Sequence, residues 1–130
     1  MYKVLIVDDS QTMRSFLEEI LRDRAKCDSV HNGQEALKAY IKAIEENDHY
    51  DLILLDLSMP DIHGLEVLNI IREKEREANI PSGYGVPVII ITSNDKLSKQ
   101  AFEQGCDDYI VKPVNAEELL RKIDALINKK

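Results

Sequence analysis

The polar groups of this chain that could do chemistry follow directly on short apolar runs. Asp8 and Asp9 come after Val4 to Val7, Asp56 after Leu52 to Leu55, Thr92 and Ser93 after Val88 to Ile91, and Lys112 after Tyr109 to Val111. Runs so short and apolar, bounded by turn residues, predict strands covered on both faces, so each polar group stands where a core strand reaches the surface. If the strands are parallel, these ends share one edge of the sheet, the edge where open α/β sheets bind ligands. Three carboxylates gathered there repel one another and raise one another's pKa unless positive charge sits among them. Lys112 and a divalent cation meet that need, and all-oxygen ligands without His or Cys select a hard ion such as Mg²⁺ or Mn²⁺. Mg²⁺ commonly divides its shell between carboxylates and a phosphate oxygen, which points to phosphoryl transfer onto an aspartate, with the metal and Lys112 neutralising the charge on the phosphoryl oxygens. Asp56 is the expected nucleophile because its strand is the most buried and central. Asp8 and Asp9 are then the metal acids.

Between the strand candidates the apolar period becomes helical. Met13, Phe16, Leu17, Ile20 and Leu21 share one face, as do Leu37, Tyr40, Ile41 and Ile44, and Leu65, Leu68 and Ile71 repeat the pattern less cleanly. A weaker strand candidate spans Cys27 to His31. A short helix is expected around Lys96 to Gln104, stopped by Gly105, and a last one after an Asn115 cap with Glu118 at its third position and Ala116, Leu119, Leu120, Ile123 and Ile127 buried. Five strands alternating with five helices predict a doubly wound α/β domain, because parallel neighbours need a crossover and right-handed crossovers put helices on both faces.

One domain, residues 1–130, accommodates this pattern. The 24 acidic residues outnumber the 17 basic ones, for a net charge of -7, which disfavours direct binding of nucleic acid or an anionic membrane. The opening MYKVLIVDD has too short an apolar run for a signal peptide or a membrane span, so a cytoplasmic location is expected. Cys27 and Cys106 lack metal-ligand spacing and are expected to be reduced. His31, His49 and His63 share no ligand spacing either. The run Arg72 to Glu77 reads as a solvated helix end, and the Pro/Gly-rich stretch Ile80 to Pro87 as a surface connection of no evident function.

The blocks VLIVDDS, LILLDLSMPDIHGLEVL, VIIITS and DDYIVKPVNAEEL, in that order and each at a strand end, resemble the receiver domains of two-component response regulators, close in size to the stand-alone chemotaxis type. The resemblance covers essentially the whole chain and implies a strand order of 2-1-3-4-5. It implies that Asp56 is the phosphoacceptor and that Asp8, Asp9, Asp56 and the backbone carbonyl of Ser58 hold Mg²⁺. Thr92 would be the switch hydroxyl and Lys112 its companion on the phosphoryl group, with Tyr109 as the switch aromatic and a cis bond before Pro113. Ser58 and Asn94 would tune the lifetime of the phosphorylated form. The implied partners are a histidine kinase or histidine phosphotransfer domain as donor, and a downstream protein on the face of the last two helices and last strand.

Taken singly these residues have plainer roles: Asp8 beside Ser10 could cap the first helix, Thr92 is an ordinary strand residue, Lys112 an ordinary solvated lysine and Tyr109 a packing aromatic. Their common placement at strand ends sets the site apart. A Mg²⁺-dependent phosphohydrolase with an aspartate nucleophile is the enzyme alternative, but DDSQT lacks the Asp-x-Asp pattern usual after the first strand of such enzymes. A flavodoxin is the binding alternative, and Asp8 and Asp9 would repel its flavin phosphate.

Overall fold

The computed structural model describes residues 1–127. Strands β1 (Tyr2–Val7), β2 (Ala25–Val30), β3 (Leu52–Leu55), β4 (Val88–Thr92) and β5 (Asp108–Val111) alternate with helices α1 (Gln11–Leu21), α2 (Gly33–Glu45), α3 (Gly64–Glu77), α4 (Ser98–Glu103) and α5 (Ala116–Ile127). A 3-10 turn, Asp95–Leu97, leads into α4. Every strand pairing is parallel, and the order is β2-β1-β3-β4-β5.

Side chains alternate across the central strands. Leu5, Val7, Ile53, Leu55, Val88 and Ile90 pack against α2, α3 and Ala101 of α4, whereas Val4, Ile6, Leu52, Leu54, Ile89 and Ile91 pack against Leu17 and Leu21 of α1 and Leu119 and Ile123 of α5. Both faces are therefore covered, which is why these strands read as unbroken apolar runs.

The helices seat more narrowly than their apolar stripes predict. Phe16, Ile41 and Ile44 remain more than a third exposed. On α2 the buried face is Gly33, Ala36, Tyr40 and Ala43; Tyr40 is buried as its period predicts, while the small Gly33, Ala36 and Ala43 let the helix approach closely and leave Ile41 and Ile44 on the flank. On α5 Leu119 and Ile123 are buried, while Ala116, Leu120 and Ile127 are only partly so. Asn115 does accept the Glu118 N–H, at 2.9 Å. Gly105 has φ +105, the left-handed backbone that ends a helix and that glycine adopts without strain.

The run Arg72 to Glu77 corrects the expectation of a fully solvated helix end, because two of its charges turn inward. Glu75 is 5% exposed; its carboxylate accepts Arg72 Nη1 at 2.8 Å and the Val86 N–H at 2.7 Å. Arg72 also donates to the Gly105 carbonyl at 2.9 Å and to Asp107 at 3.1 Å, and Asp107 accepts the Val88 N–H at 2.8 Å. This network holds the 80–87 connection against α3, and a side chain at Gly85 would collide with the Glu75 carboxylate. Removing one member of a buried ionic network leaves its partners desolvated and unpaired. Glu75→Ala is expected to lower the unfolding free energy by about 3 kcal/mol, read from urea denaturation at constant m-value; a loss below about 0.5 kcal/mol, as for an exposed ion pair, would contradict the role.

Candidate functional site

Strand register assembles the site. Val7 pairs with Leu55 and the Asp56 N–H donates to the Val7 carbonyl at 2.9 Å, so Asp8 and Asp56 emerge side by side. Leu55 pairs with Ile90, which brings Thr92 to the same edge on the adjoining strand. Thr92 pairs with Val111, and the Lys112 N–H donates to the Thr92 carbonyl at 2.8 Å. Asp8, Asp56 and Thr92 are 1%, 3% and 0% exposed, whereas Asp9 is exposed.

Carboxylate oxygens of Asp8, Asp9 and Asp56 all lie within 4.8 Å of one another. Lys112 Nζ reaches in from β5, 3.1 Å from Asp8 Oδ2 and 3.5 Å from Asp56 Oδ2. The Lys112–Pro113 bond is cis. Burial alone would lower the lysine's pKa, but Asp56 and then Asp8 outweigh it, so the pKa is raised and the ammonium form is held. Asp56 moves upward despite that attraction: burial is the largest cause, the carboxylates of Asp8 and Asp9 add to it, and the Ser58 N–H and Lys112 oppose it. The ion pair thus lessens the cost of gathering three carboxylates without removing it. The donor set is all oxygen and closely spaced, which suits a hard divalent cation.

The backbone on either side is fixed. Asp8 Oδ1 accepts the Ser10 N–H at 2.9 Å, and Ser10, not Asp8, caps α1 by accepting the Met13 N–H at 3.2 Å. Asp56 Oδ1 accepts the Ser58 N–H at 3.2 Å. Beyond it, Asp61 accepts the N–H groups of Gly33 at 2.9 Å and Gln34 at 3.0 Å, tying the β3–α3 loop to the start of α2. Some desolvation acts against it, yet those N–H groups hold the Asp61 carboxyl below its ordinary range. His63 caps α3, its Nδ1 accepting the Leu65 N–H at 3.2 Å. At Gly64 a Cβ would lie 2.5 Å from the Asp56 carbonyl oxygen, so only glycine lets α3 begin against that backbone.

Thr92 Oγ1 accepts the Asn94 N–H at 3.4 Å, and Asn94 Oδ1 accepts the Lys96 N–H at 2.9 Å. The Tyr109 hydroxyl donates to the Asn94 carbonyl. Cys27 and Cys106 are free thiols pushed up by burial to about 11 and about 12, far from nucleophilic at neutral pH. Asp61, His63 and the Arg14 side chain, which donates to the Asp8 carbonyl at 2.6 Å, are the neighbours that sequence reasoning missed. For Asp61 and His63 the signal was faint, a polar residue ahead of an apolar helical run; Arg14 carried none.

Compared with known proteins, residues 4–124 match the response regulator receiver domain. The chain belongs to that family. This receiver is 39% identical over 132 residues to the response regulator ArlR of Staphylococcus aureus, an alignment that takes in 99% of this chain and 54% of that protein. The receiver thus spans about half the length of the curated relatives it matches. Among solved structures it is similar to the response regulator TrrA of Thermotoga maritima in complex with Mg²⁺-BeF, at 33% identity, TM-score 0.80, and 97% and 99% coverage of the two chains. It is also similar to the receiver domain of a sensor histidine kinase from Pseudomonas aeruginosa with a magnesium ion coordinated in the active site cleft, at 26% identity, TM-score 0.79, and 98% coverage of both. Among the described residues no helix is long and apolar enough to cross a membrane.

A raised carboxyl pKa in the folded state stabilises folding while the group is protonated. That contribution is complete below the unfolded-state pKa, about 3.9, and is lost as pH rises through the folded-state value. Ionised Asp56 is therefore destabilising at neutral pH in the absence of metal. Asp56→Asn is expected to raise the unfolding free energy by about 1–2 kcal/mol at pH 7, an advantage that shrinks as pH falls through the raised folded-state pKa and is gone below about 4. Urea denaturation across that range checks it, and a variant less stable than wild type at pH 7 contradicts it.

Proposed function

We propose that this receiver accepts a phosphoryl group on Asp56 from a phosphohistidine of a cytoplasmic histidine kinase or phosphotransfer protein. The observation that carries the reading is Lys112 Nζ lying within 3.5 Å of both Asp8 and Asp56, because an ammonium between a metal acid and a nucleophile is what a transferring phosphoryl group needs. Asp8, Asp9, Asp56 and the Ser58 carbonyl would hold Mg²⁺ or Mn²⁺, which when bound neutralises the carboxylates and the phosphoryl oxygens. An Asp56 oxygen attacks phosphorus in line as the phosphorus–nitrogen bond breaks, and the bond's electron pair returns to the imidazole, which takes up a proton from water. Lys112 compensates the charge on the equatorial oxygens. The pocket supplies position and charge and needs no separate base, since the attacking carboxylate is already ionised.

Once Asp56 carries the group, its oxygens offer acceptors that Thr92 and Lys112 can satisfy. Thr92 Oγ1 then turns toward them, Tyr109 gives up the Asn94 carbonyl and moves inward, and the face of α4, β5 and α5 presents a changed surface to a downstream protein. Ser58 and Asn94 border the bound group and set how readily water reaches it. The role of this receiver is signalling: it catalyses its own phosphorylation and dephosphorylation only.

Acetyl phosphate with Mg²⁺ is expected to add one phosphoryl group to wild type by intact mass, and none to Asp56→Asn. Equal labelling of the two proteins would defeat the assignment. In the absence of phosphodonor, Mg²⁺ at a hundred times its Kd is expected to stabilise wild type by about 2.7 kcal/mol, and Asp9→Asn to need more Mg²⁺ for the same gain. Thermal denaturation against Mg²⁺ reads this directly, and identical titrations for the two proteins would remove Asp9 from the metal site.

A further inference from the structure

The β3–α3 loop closes on itself at its base. The Gly64 N–H donates to the Leu57 carbonyl at 3.0 Å and the Ser58 N–H to Asp56 Oδ1 at 3.2 Å, so the Ser58 backbone and the Asp56 carboxylate are set as one unit. Between Ser58 and His63, among the described residues, the hydrogen bonds that reach beyond the loop and its own helix α3 are the two that Asp61 accepts from the Gly33 and Gln34 N–H groups, at 2.9 and 3.0 Å. Met59 and Ile62 pack only partly buried against the core, and α2 begins directly on the loop, where a Cβ at Gly33 would lie 2.8 Å from Ile62 Cβ. Apolar contact is non-directional, whereas two charge-assisted bonds to one carboxylate fix both distance and direction.

Asp61 is a second anchor at a helix start that already has its own cap. Asn32 accepts the Glu35 N–H at 2.8 Å through its side chain and the Ala36 N–H at 3.1 Å through its carbonyl. Gly33 and Gln34 carry the first-turn N–H groups that this cap leaves over, and the positive end of the helix favours a carboxylate there. Asp61 is exposed and stands outside the group of Asp8, Asp9 and Asp56 whose oxygens lie within 4.8 Å of one another. Its route to that group is the backbone it holds. Repulsion among the three carboxylates works to spread the backbone that carries them, and on the Asp56 side the hold on α2 resists that spreading.

Resting on the metal and phosphoacceptor reading above, we propose that Asp61 is a positioning residue: its two bonds to α2 hold the backbone from Asp56 to Ser58 in the arrangement that takes a divalent cation, and so set the Mg²⁺ affinity of this receiver. Groups that orient metal ligands without touching the metal commonly govern affinity by about ten- to a hundredfold.

The test compares wild type, Asp61→Asn, Asp61→Ala and Asn32→Ala, with the Mg²⁺ Kd read from thermal denaturation without phosphodonor, at low and at high salt. Asp61→Asn keeps the size of the side chain but can accept only one of the two N–H groups, and Asp61→Ala accepts neither. Asn32→Ala removes a cap bond from α2 and leaves the tether of the loop in place. Both Asp61 variants are expected to weaken Mg²⁺ binding about tenfold or more at both salt levels, while Asn32→Ala keeps the wild-type Kd although its metal-free melting temperature falls. An unchanged Kd in either Asp61 variant overturns the proposal. So does a loss that disappears at high salt, which is only the removal of a screened surface charge. An equal loss in Asn32→Ala overturns it too, because Asp61 is then a helix cap and no more. Absent labelling of wild-type Asp56 by acetyl phosphate strikes the phosphoacceptor reading and leaves the Mg²⁺ comparison standing, whereas a wild type that binds no Mg²⁺ strikes the metal reading and the proposal with it.

Discussion

Like charges cannot be gathered at one edge of a sheet unless opposite charge is built in beside them. Here Lys112 is that charge, and its two contacts with Asp8 and Asp56 join β5 to the acids of β1 and β3 across the intervening β4. The compensation is incomplete: at Asp56 burial first, and then Asp8 and Asp9, outweigh the Ser58 N–H and Lys112. An incompletely compensated cluster binds cations and phosphoryl groups because each relieves a repulsion already present. Folding energy is held back at this edge and becomes available on binding.

Such a cluster keeps its geometry only if the surrounding backbone resists the repulsion. The two loops flanking Asp56 differ in how they do so. On the β3–α3 side, Asp61 is bound to two N–H groups of α2, His63 caps α3 and Gly64 sets the helix directly on the Asp56 backbone. On the β4–α4 side, Asn94 is held by the long Thr92 contact, by the Lys96 N–H and by the Tyr109 hydroxyl. The first loop is a fixed floor. The second is held through Thr92, Asn94 and Tyr109, the side chains whose rearrangement the proposed switch requires.

The opposite edge of the sheet carries a different kind of charge cluster. Arg72, Glu75 and Asp107 are paired with one another and with backbone N–H groups, so their charges are satisfied within the fold. The contrast separates structural from functional charge: matched donors and acceptors brace the 80–87 connection at one end, and an excess of acceptors waits for a ligand at the other.

The periodicity of the sequence determined the alternation of strands and helices, because burial on both faces of a parallel sheet leaves an apolar run at β1, β3 and β4 with a polar residue ending it; edge strand β2, Ala25–Val30, is half exposed, carries no such run and was only weakly marked, over Cys27 to His31. The gathering of Asp8, Asp9, Asp56, Thr92 and Lys112 at one edge of the sheet was legible for the same reason. Only the tertiary structure decided what depends on side-chain reach between elements distant in the chain: the narrow seam of α2, the inward turn of Glu75 from an otherwise solvated run, the hold of Asp61 on α2 and the folding back of Arg14 onto Asp8. A period records which face of an element avoids water. The partner of a charged side chain is fixed by the geometry of several elements together, and that geometry exists only once the chain has packed.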